Sequence, residues 1–427
     1  MVEKAFIKAN IPFTANDISQ FNTQIANAEN NGWKKSEMQG SFLLKHINTS
    51  FGKNGINLSK KCEDLNFTIP SNYGDYKLTV SEVNIFYFDT GTGIISMHIP
   101  YLANTNDEEL INVCATLRSS VKHENEESCC PIFKNGEKTY LSCIAEEFLA
   151  SVAGKSAGLF GQFTETSSKR IDMFSAVLFD RRNEEDGNVS SDRVCYLMAN
   201  AYDNRDKKLD LKEEEFYRQH EYSRWCFTKR GCCAVANITG NDSNDNFLQK
   251  RWLLSVMTNY FYLYLMVLHQ KYAIYNYLNI VATDSKMSNV VLNQESLIEF
   301  NSKYIFSIVS DEHFIQRAYR KMKEVNNVDE VYGDLLDELK RMFDYTRLKS
   351  NEVSEERNNK LNLISLVISI ICSISIVIDT ISLFSSQGIY MGFDTKNNTL
   401  CTSVIIGEVL FLVLCILYVF IVNKKKE

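Results

Sequence analysis

Proline is scarce in this sequence: four in 427 residues, at Pro12, Pro70, Pro100 and Pro131, with none beyond residue 131. The later chain therefore lacks its main helix breaker and is free to be largely helical. Glycine numbers only 18, which excludes collagen-like and Gly/Pro-rich disordered architectures. The 12 cysteines include no C-x-x-C, and the adjacent pairs Cys129/Cys130 and Cys232/Cys233 have neither metal-ligand nor secreted-framework spacing. Reduced, mostly buried thiols of an intracellular domain are expected. His46, His98, His123, His220, His269 and His313 are scattered without H-E-x-x-H spacing, so no zinc centre is expected. There is no basic excess either. With 46 Lys and Arg against 53 Asp and Glu, the net charge of -7 has the wrong sign for a protein that coats nucleic acid, and no direct nucleic-acid partner is expected. Catalytic signatures are also missing. No nucleophile elbow, kinase set or zinc-deaminase motif occurs, and Gly154-Lys155-Ser156 is no phosphate loop because Leu149 stands where its first glycine belongs. The chain does not read as an enzyme.

A mean hydropathy of -0.20 conceals what is present. Residues 363–384 carry one ionisable side chain, Asp379, and residues 404–422 carry one, Glu408. Each run is long enough to cross a hydrocarbon layer of ~30 Å at ~1.5 Å per residue. Two C-terminal transmembrane helices are expected. Lys349, Arg357 and Lys360 precede the first run and Lys424, Lys425 and Lys426 follow the second, whereas the loop between them has only Lys396. The positive-inside bias puts both termini in the cytoplasm, as a multi-pass protein of the inner (plasma) membrane.

The remaining chain reads as an α+β cytosolic domain, an antiparallel sheet with flanking helices, over residues 1–245. A helical region (246–328), a long stalk helix (329–362) and a transmembrane hairpin with a basic tail (363–427) follow. Glu82–Phe88 and residues 94–100 are β-rich runs around Asp-Thr-Gly-Thr-Gly, a hairpin signal. Asn-Asp-Glu-Glu opens a helix over residues 106–119,. Residues 171–179 and 193–202 read as a second strand pair around a polar loop, and Ser223–Thr228 with residues 232–238 as another hairpin. The aromatic run of residues 247–282 includes Asn259 and many tyrosines, which suit a buried helix of the domain better than a lipid-exposed one. Residues 301–325 read as one helix, NNVD as a break, and residues 329–384 as helical throughout.

In the first apolar run, Asn362, Ser365, Ser369, Cys372, Ile376 and Asp379 recur at intervals of three and four, keeping one small, polar face towards neighbours. A carboxylate within a span marks an aqueous or interior path. Asn362, Ser365, Ser369, Cys372 and Asp379 are therefore the expected pore lining, with Asp379 the expected metal contact; packing and bonding between helices by the same face, without a channel, is the alternative. Two helices cannot enclose a pore, so a homo-oligomeric ring is implied.

This layout, with the run Glu356-Arg357-Asn358-Asn359-Lys360-Leu361-Asn362-Leu363-Ile364-Ser365 entering the first span and a terminal Asn-Lys-Lys-Lys, resembles the CorA superfamily of divalent-cation channels. The family's outer-mouth Gly-Met-Asn is missing, since Ser382-Leu383-Phe384 stands there and Tyr390-Met391-Gly392 is only a partial echo. That departure is similar to the branch of CorA-like effectors associated with type III CRISPR systems. The resemblance implies a channel gated by a nucleotide second messenger, a conjugate of S-adenosylmethionine and AMP, acting in antiviral defence. No cofactor is implied beyond magnesium or another divalent cation as the transported ion. A housekeeping magnesium transporter and a membrane-anchored cytosolic enzyme are the alternatives. A phosphate- and adenine-bearing ligand needs guanidinium or ammonium groups and aromatic faces. Arg181, Arg182, Arg224, Trp225, Lys229 and Arg230 are the expected ligand-binding residues.

Overall fold

The computed structural model describes residues 2–387 apart from 39, 71–74, 102–105, 123–128, 160–170, 183–186, 203–210, 212–215, 221, 230, 241 and 284–286. Beyond 387 it describes 389–390, 393–394 and isolated positions from 403 to 413. The expected second span (404–422), with Glu408, lies largely outside the described residues, as does Arg230. Two units are present, Met1–Lys340 and Arg341–Glu427.

The strands of the first unit are β1 (Val2–Ala15), β2 (Lys34–Ser36), β3 (Gly55–Lys61), β4 (Asn66–Ile69), β5 (Tyr76–Thr79), β6 (Glu82–Phe88), β7 (Thr92–Tyr101), β8 (Ile132–Lys134), β9 (Glu137–Thr139), β10 (Ala157–Leu159), β11 (Asp172–Asp180), β12 (Phe216–His220), β13 (Ser223–Thr228) and β14 (Gly231–Ile238). Among the described residues one large sheet runs β12-β13-β14-β11-β1-β7-β6-β3-β2, with β10 added beside β1, and a small sheet runs β5-β4-β8-β9. Both expected hairpins form: β6 pairs with β7 and β13 with β14, antiparallel.

The centre of the sheet is β1, whose residues alternate between two buried faces. Ala5, Ile7, Ala9, Ile11 and Phe13 join one core, while Phe6 and Lys8 meet Phe174 and Phe261 on the other side. A strand covered on both faces loses the polar/apolar alternation that betrays a half-exposed one. Pro12 is tolerated in this central strand because it falls in the gap between two neighbours. β11 ends its pairing opposite Asn10 and β10 begins opposite Phe13, so the missing N–H leaves no ladder position empty there.

The helices of the first unit are α1 (Ile18–Ala26), α2 (Lys45–Asn54), α3 (Asp107–Arg118), α4 (Leu141–Ala153), α5 (Gly187–Asn200), α6 (Asp242–Phe247), α7 (Leu253–Ser255), α8 (Phe261–Thr283), α9 (Met287–Tyr304) and α10 (His313–Val325). α3 begins as expected, with a capping box between Asn106 and Glu109, satisfying two otherwise orphaned donors. Residues of α1, α3, α4 and α5 and of the small sheet share the core on the first face of the large sheet. On the second face, π-helical turns at Leu248–Trp252 and Val256–Tyr260 lead into α8. There the expected buried helix is found: Tyr260, Phe261, Tyr264, Leu265 and Leu268 are buried, and Phe261 packs on Phe86 and Phe174 with centroids 5.9 and 5.3 Å apart.

Two expectations fail. Residues 193–202 are not a strand but the latter half of α5. Their buried positions are Val194, Cys195, Leu197, Met198, Ala199 and Ala201; the adjacent buried residues break a period of two and fit a helical stripe. The second strand pair therefore does not exist, and β11 pairs in parallel with β14 instead. A parallel pair requires a crossover, which α5 and the β12–β13 segment supply, so the large sheet is mixed rather than antiparallel. Residues 301–325 are also two helices, not one. The intervening backbone is held elsewhere: Val309 accepts from the Leu44 amide at 2.9 Å and donates to Gln316 Oε1 at 2.8 Å. The break expected at NNVD is present, with Asn327 at a φ of 52°.

From Val328 a single helix, α11 (Val328–Gln387), extends for 60 residues. Its section Val328–Ile376 is, among the described residues, the one helix long and apolar enough to cross a membrane.

Candidate ligand site

The expected ligand-binding residues are not brought together. Arg181 follows β11, its side chain 6% exposed and paired with Asp107 at 2.8 Å, and its guanidinium lies over Phe179 at 4.3 Å. Arg182 is exposed and folds back on Asp180, holding that carboxyl down to about 2. Arg224 is on β13 and bonds Asp192 of α5 at 2.7 Å, on the first face of the sheet. Trp225, one residue on, points to the opposite face, is 0% exposed and packs on Tyr260 at 4.5 Å. Its ring is core, not a base-stacking platform. Lys229 is exposed at the β13–β14 turn. Alternation along β13 is what separates the adjacent Arg224 and Trp225.

The polar cleft lies elsewhere in the first unit. A cavity of about 790 Å³ opens where the end of β1, the β6–β7 turn, β10, α8 and α9 meet, within the range usual for small-molecule sites. Asp89, in the turn, accepts the Tyr304 hydroxyl and is paired with Lys303 Nζ at 2.7 Å. Lys303 also reaches Glu299 one turn earlier on α9, and the two carboxylates push its pKa up. Burial, then Asp89, holds the Tyr304 hydroxyl far above its ordinary range, so it stays protonated and donating. The walls carry Tyr277, Phe300 and Tyr304, with Phe300 at 5.6 and 5.8 Å from the other two rings.

Behind the cleft the polar groups are buried and linked. Thr90, on the cleft wall, bonds His269 Nε2 at 2.9 Å; His269 is 1% exposed and stacks on Phe88 at 3.8 Å. Next along α8, Gln270 donates to the Tyr304 carbonyl at 2.6 Å and to the Tyr319 hydroxyl at 2.9 Å. These bonds join the C-terminus of α9 to α10. Lys323 of α10 in turn pairs with Asp329 in the first turn of α11. A continuous set of contacts thus leads from the cleft to the start of the long helix.

Burial lowers His269 to about 3, and burial followed by Lys8 lowers His98 to about 4. Between the ordinary histidine value of ~6.5 and these values, the unfolded chain binds protons that the native state refuses. Stability is therefore complete above pH ~6.5 and falls as the pH drops, by about 2 kcal/mol at pH 5 from His269 alone. Urea unfolding at pH 7 and pH 5 measures this, and His269→Gln should remove about half of the difference, His98 supplying the rest,. Cys114, Cys195, Cys232 and Cys233 are buried and make no disulfide, and burial pushes the Cys114 thiol up to about 12, which leaves it inert.

In the second unit, Asn362, Ser365, Ser369 and Cys372 are exposed on α11. Ser369 Oγ donates to the Ser365 carbonyl at 2.9 Å and Ser373 Oγ to that of Ser369 at 2.8 Å, so these hydroxyls are satisfied within the helix. Asp379 is on α11, but its side chain lies outside the described residues. Among the described residues no group of three or more His, Cys, Asp and Glu could hold a metal ion. No known family model, curated protein or solved structure matches this chain.

The cleft was missed by sequence reasoning because its charged pair joins residues 214 positions apart. The only local sign was the Asp-Thr-Gly turn of the first hairpin, read for its conformation and not for its carboxylate.

Proposed function

We propose that the chain is a ligand-gated membrane channel of CorA-like build, assembled as a homo-oligomeric ring and opened by a small nucleotide-type messenger in type III CRISPR defence. The observation that carries this reading is α11. Leu361, Leu363, Ile364, Val367, Ile368, Ile374 and Ile376 are all exposed on it. So continuous an apolar surface is unfavourable in water and favourable in lipid or against neighbouring copies. Two spans, cytoplasmic termini and an inner-membrane location follow from the charge pattern flanking the apolar runs.

In this reading the cleft takes the ligand, displacing the expected cluster around Arg181 and Trp225. A ligand that engages Asp89 or Lys303 favours one arrangement of α9, and the Gln270, Tyr319 and Lys323 contacts pass the bias to α11. Only a difference in affinity between two arrangements can do this. Asn362, Ser365, Ser369, Cys372 and Asp379 line the cation path, with a carboxylate ring favouring cations such as magnesium.

The test is cation flux through proteoliposomes carrying the full chain, with and without the S-adenosylmethionine–AMP conjugate. Ligand-dependent flux is expected, lowered about tenfold in Asp379→Asn with ligand binding intact. Magnesium flux without any ligand would instead favour a constitutive transporter. Turnover of the ligand with no flux would favour a membrane-anchored enzyme.

A further inference from the structure

Lys8 lies on β1 among groups that leave its charge unmatched. Its register partners are Phe174 on β11 and His98 on β7, and His98 in turn faces Glu82 on β6. The ammonium lies over the Phe261 ring at 3.7 Å and 3.4 Å from the Met257 carbonyl, in the second π-helical turn. Lys271, Lys303 and Lys323 each have a carboxylate partner, in Asp172, Asp89 and Asp329. Lys8 has none among the described residues, and Glu82 acts on it from one strand beyond His98. An ammonium carries three donors and favours water or a carboxylate; a ring and one carbonyl replace neither in full. Burial outweighs the pull of Glu82 and lowers Lys8 to about 8. The titratable neighbours add no compensating charge. His98 is held neutral by burial, then by Lys8, and Tyr262 of α8 is kept protonated by burial, then by Glu82.

We propose that Lys8 is a modification site, a nucleophilic amine that takes the acyl group of a small acyl phosphate. Desolvation beside apolar surface is one way in which a lysine is activated as a nucleophile. A small donor is required because the amine is half-buried. The neutral Nζ attacks the acyl carbon and a C–N bond forms. The C–O bond to phosphate breaks, inorganic phosphate leaves with the electron pair, and the proton lost from nitrogen passes to water. The product suits the site better than the ammonium does. An amide keeps one N–H for the Met257 carbonyl and has no charge to desolvate. Its acyl carbons adjoin the aromatic surface of Phe174 and Phe261, whose rings are 5.3 Å apart. This site is independent of the cleft and of the channel reading.

Timed exposure of the detergent-solubilised full chain to acetyl phosphate, followed by peptide mass spectrometry, provides the test. Lys4, exposed on the same strand, is the internal reference. At pH ~7.5 Lys8 is expected to be acetylated about tenfold faster than Lys4. Its rate should level off above about pH 8, whereas that of an ordinary exposed lysine keeps climbing towards pH ~10.4. Two variants change the charge that Lys8 meets. His98→Asp puts a carboxylate opposite it, which holds the ammonium, so acetylation at pH ~7.5 should fall about tenfold and the plateau move to higher pH. Glu82→Gln removes the acid and should move the plateau to lower pH,. Thermal unfolding checks that each variant folds, and Glu82→Gln keeps the test open if His98→Asp does not. A lysine that is merely accessible would respond to neither change. Acetylation of Lys8 no faster than that of Lys4, a rate still rising at pH ~10, or a plateau unmoved in the folded variants would overturn the assignment.

Discussion

Trp225→Ala is expected to lower the stability of the first unit by about 3–5 kcal/mol, the usual cost of deleting a large buried aromatic. The indole is fully buried between the large sheet and the helix layer, against Tyr260 and Phe227. Its removal leaves a void that close-packed neighbours fill only in part. Since domains have about 5–15 kcal/mol of stability in all, the variant should unfold at a much lower denaturant concentration. Trp225→Phe keeps most of the volume and should lose far less. The pair also decides what this residue does: a base-stacking tryptophan would show its main effect on ligand affinity, with stability nearly unchanged.

Gly93→Val should be about as damaging, on the order of 3 kcal/mol or more by overpacking. Gly93 lies near the start of β7, two residues past the turn that lines the cleft. A Cβ there would come within 2.2 Å of the Phe13 ring and 2.7 Å of the Phe86 carbonyl. The ring could rotate only into a packed core, and the carbonyl belongs to the neighbouring strand of the same sheet, so neither can withdraw cheaply. Circular dichroism during thermal unfolding would show the loss. A Gly93→Val protein with wild-type stability would mean that β6 and β7 do not pair as described. Gly231 is a milder case of the same kind, with backbone carbonyls of Met173 and Ala199 at 2.6 and 3.0 Å from a Cβ.

The interior of the first unit separates what each residue can do from where it is used. Lys8 illustrates this. On β1 its ammonium lies over Phe261 at 3.7 Å and near the Met257 carbonyl at 3.4 Å, in the π-helical turn. Burial lowers it to about 8. Sequence inspection sees only a lysine in an N-terminal segment; the neighbours that lower its proton affinity come from a part of the chain 249 positions away. The same holds for Asp89, whose carboxylate takes Lys303 and Tyr304 of α9 and whose amide donates to the Asn54 carbonyl.

Local chemistry was legible wherever the signal was local. The β6–β7 and β13–β14 hairpins, the capped start of α3, the break at Asn326-Asn327 and the helix through residues 328–387 follow from turn residues, caps and the absence of proline, all acting within a few positions. The apolar stretch that follows Lys360 was equally legible, because length and composition alone decide whether a helix suits a hydrocarbon layer. What only the tertiary structure decided was long-range. It made residues 193–202 a helix, because the parallel pairing of β11 with β14 demands a crossover. It placed β1 at the centre of the sheet with both faces covered, buried Trp225, and paired Arg181 and Arg224 with acids from α3 and α5. It also gathered Asp89, Glu299, Lys303 and three aromatic rings around one cleft. A sequence records the propensities of neighbours along the chain, whereas a binding site is set by which distant side chains packing brings within hydrogen-bonding reach.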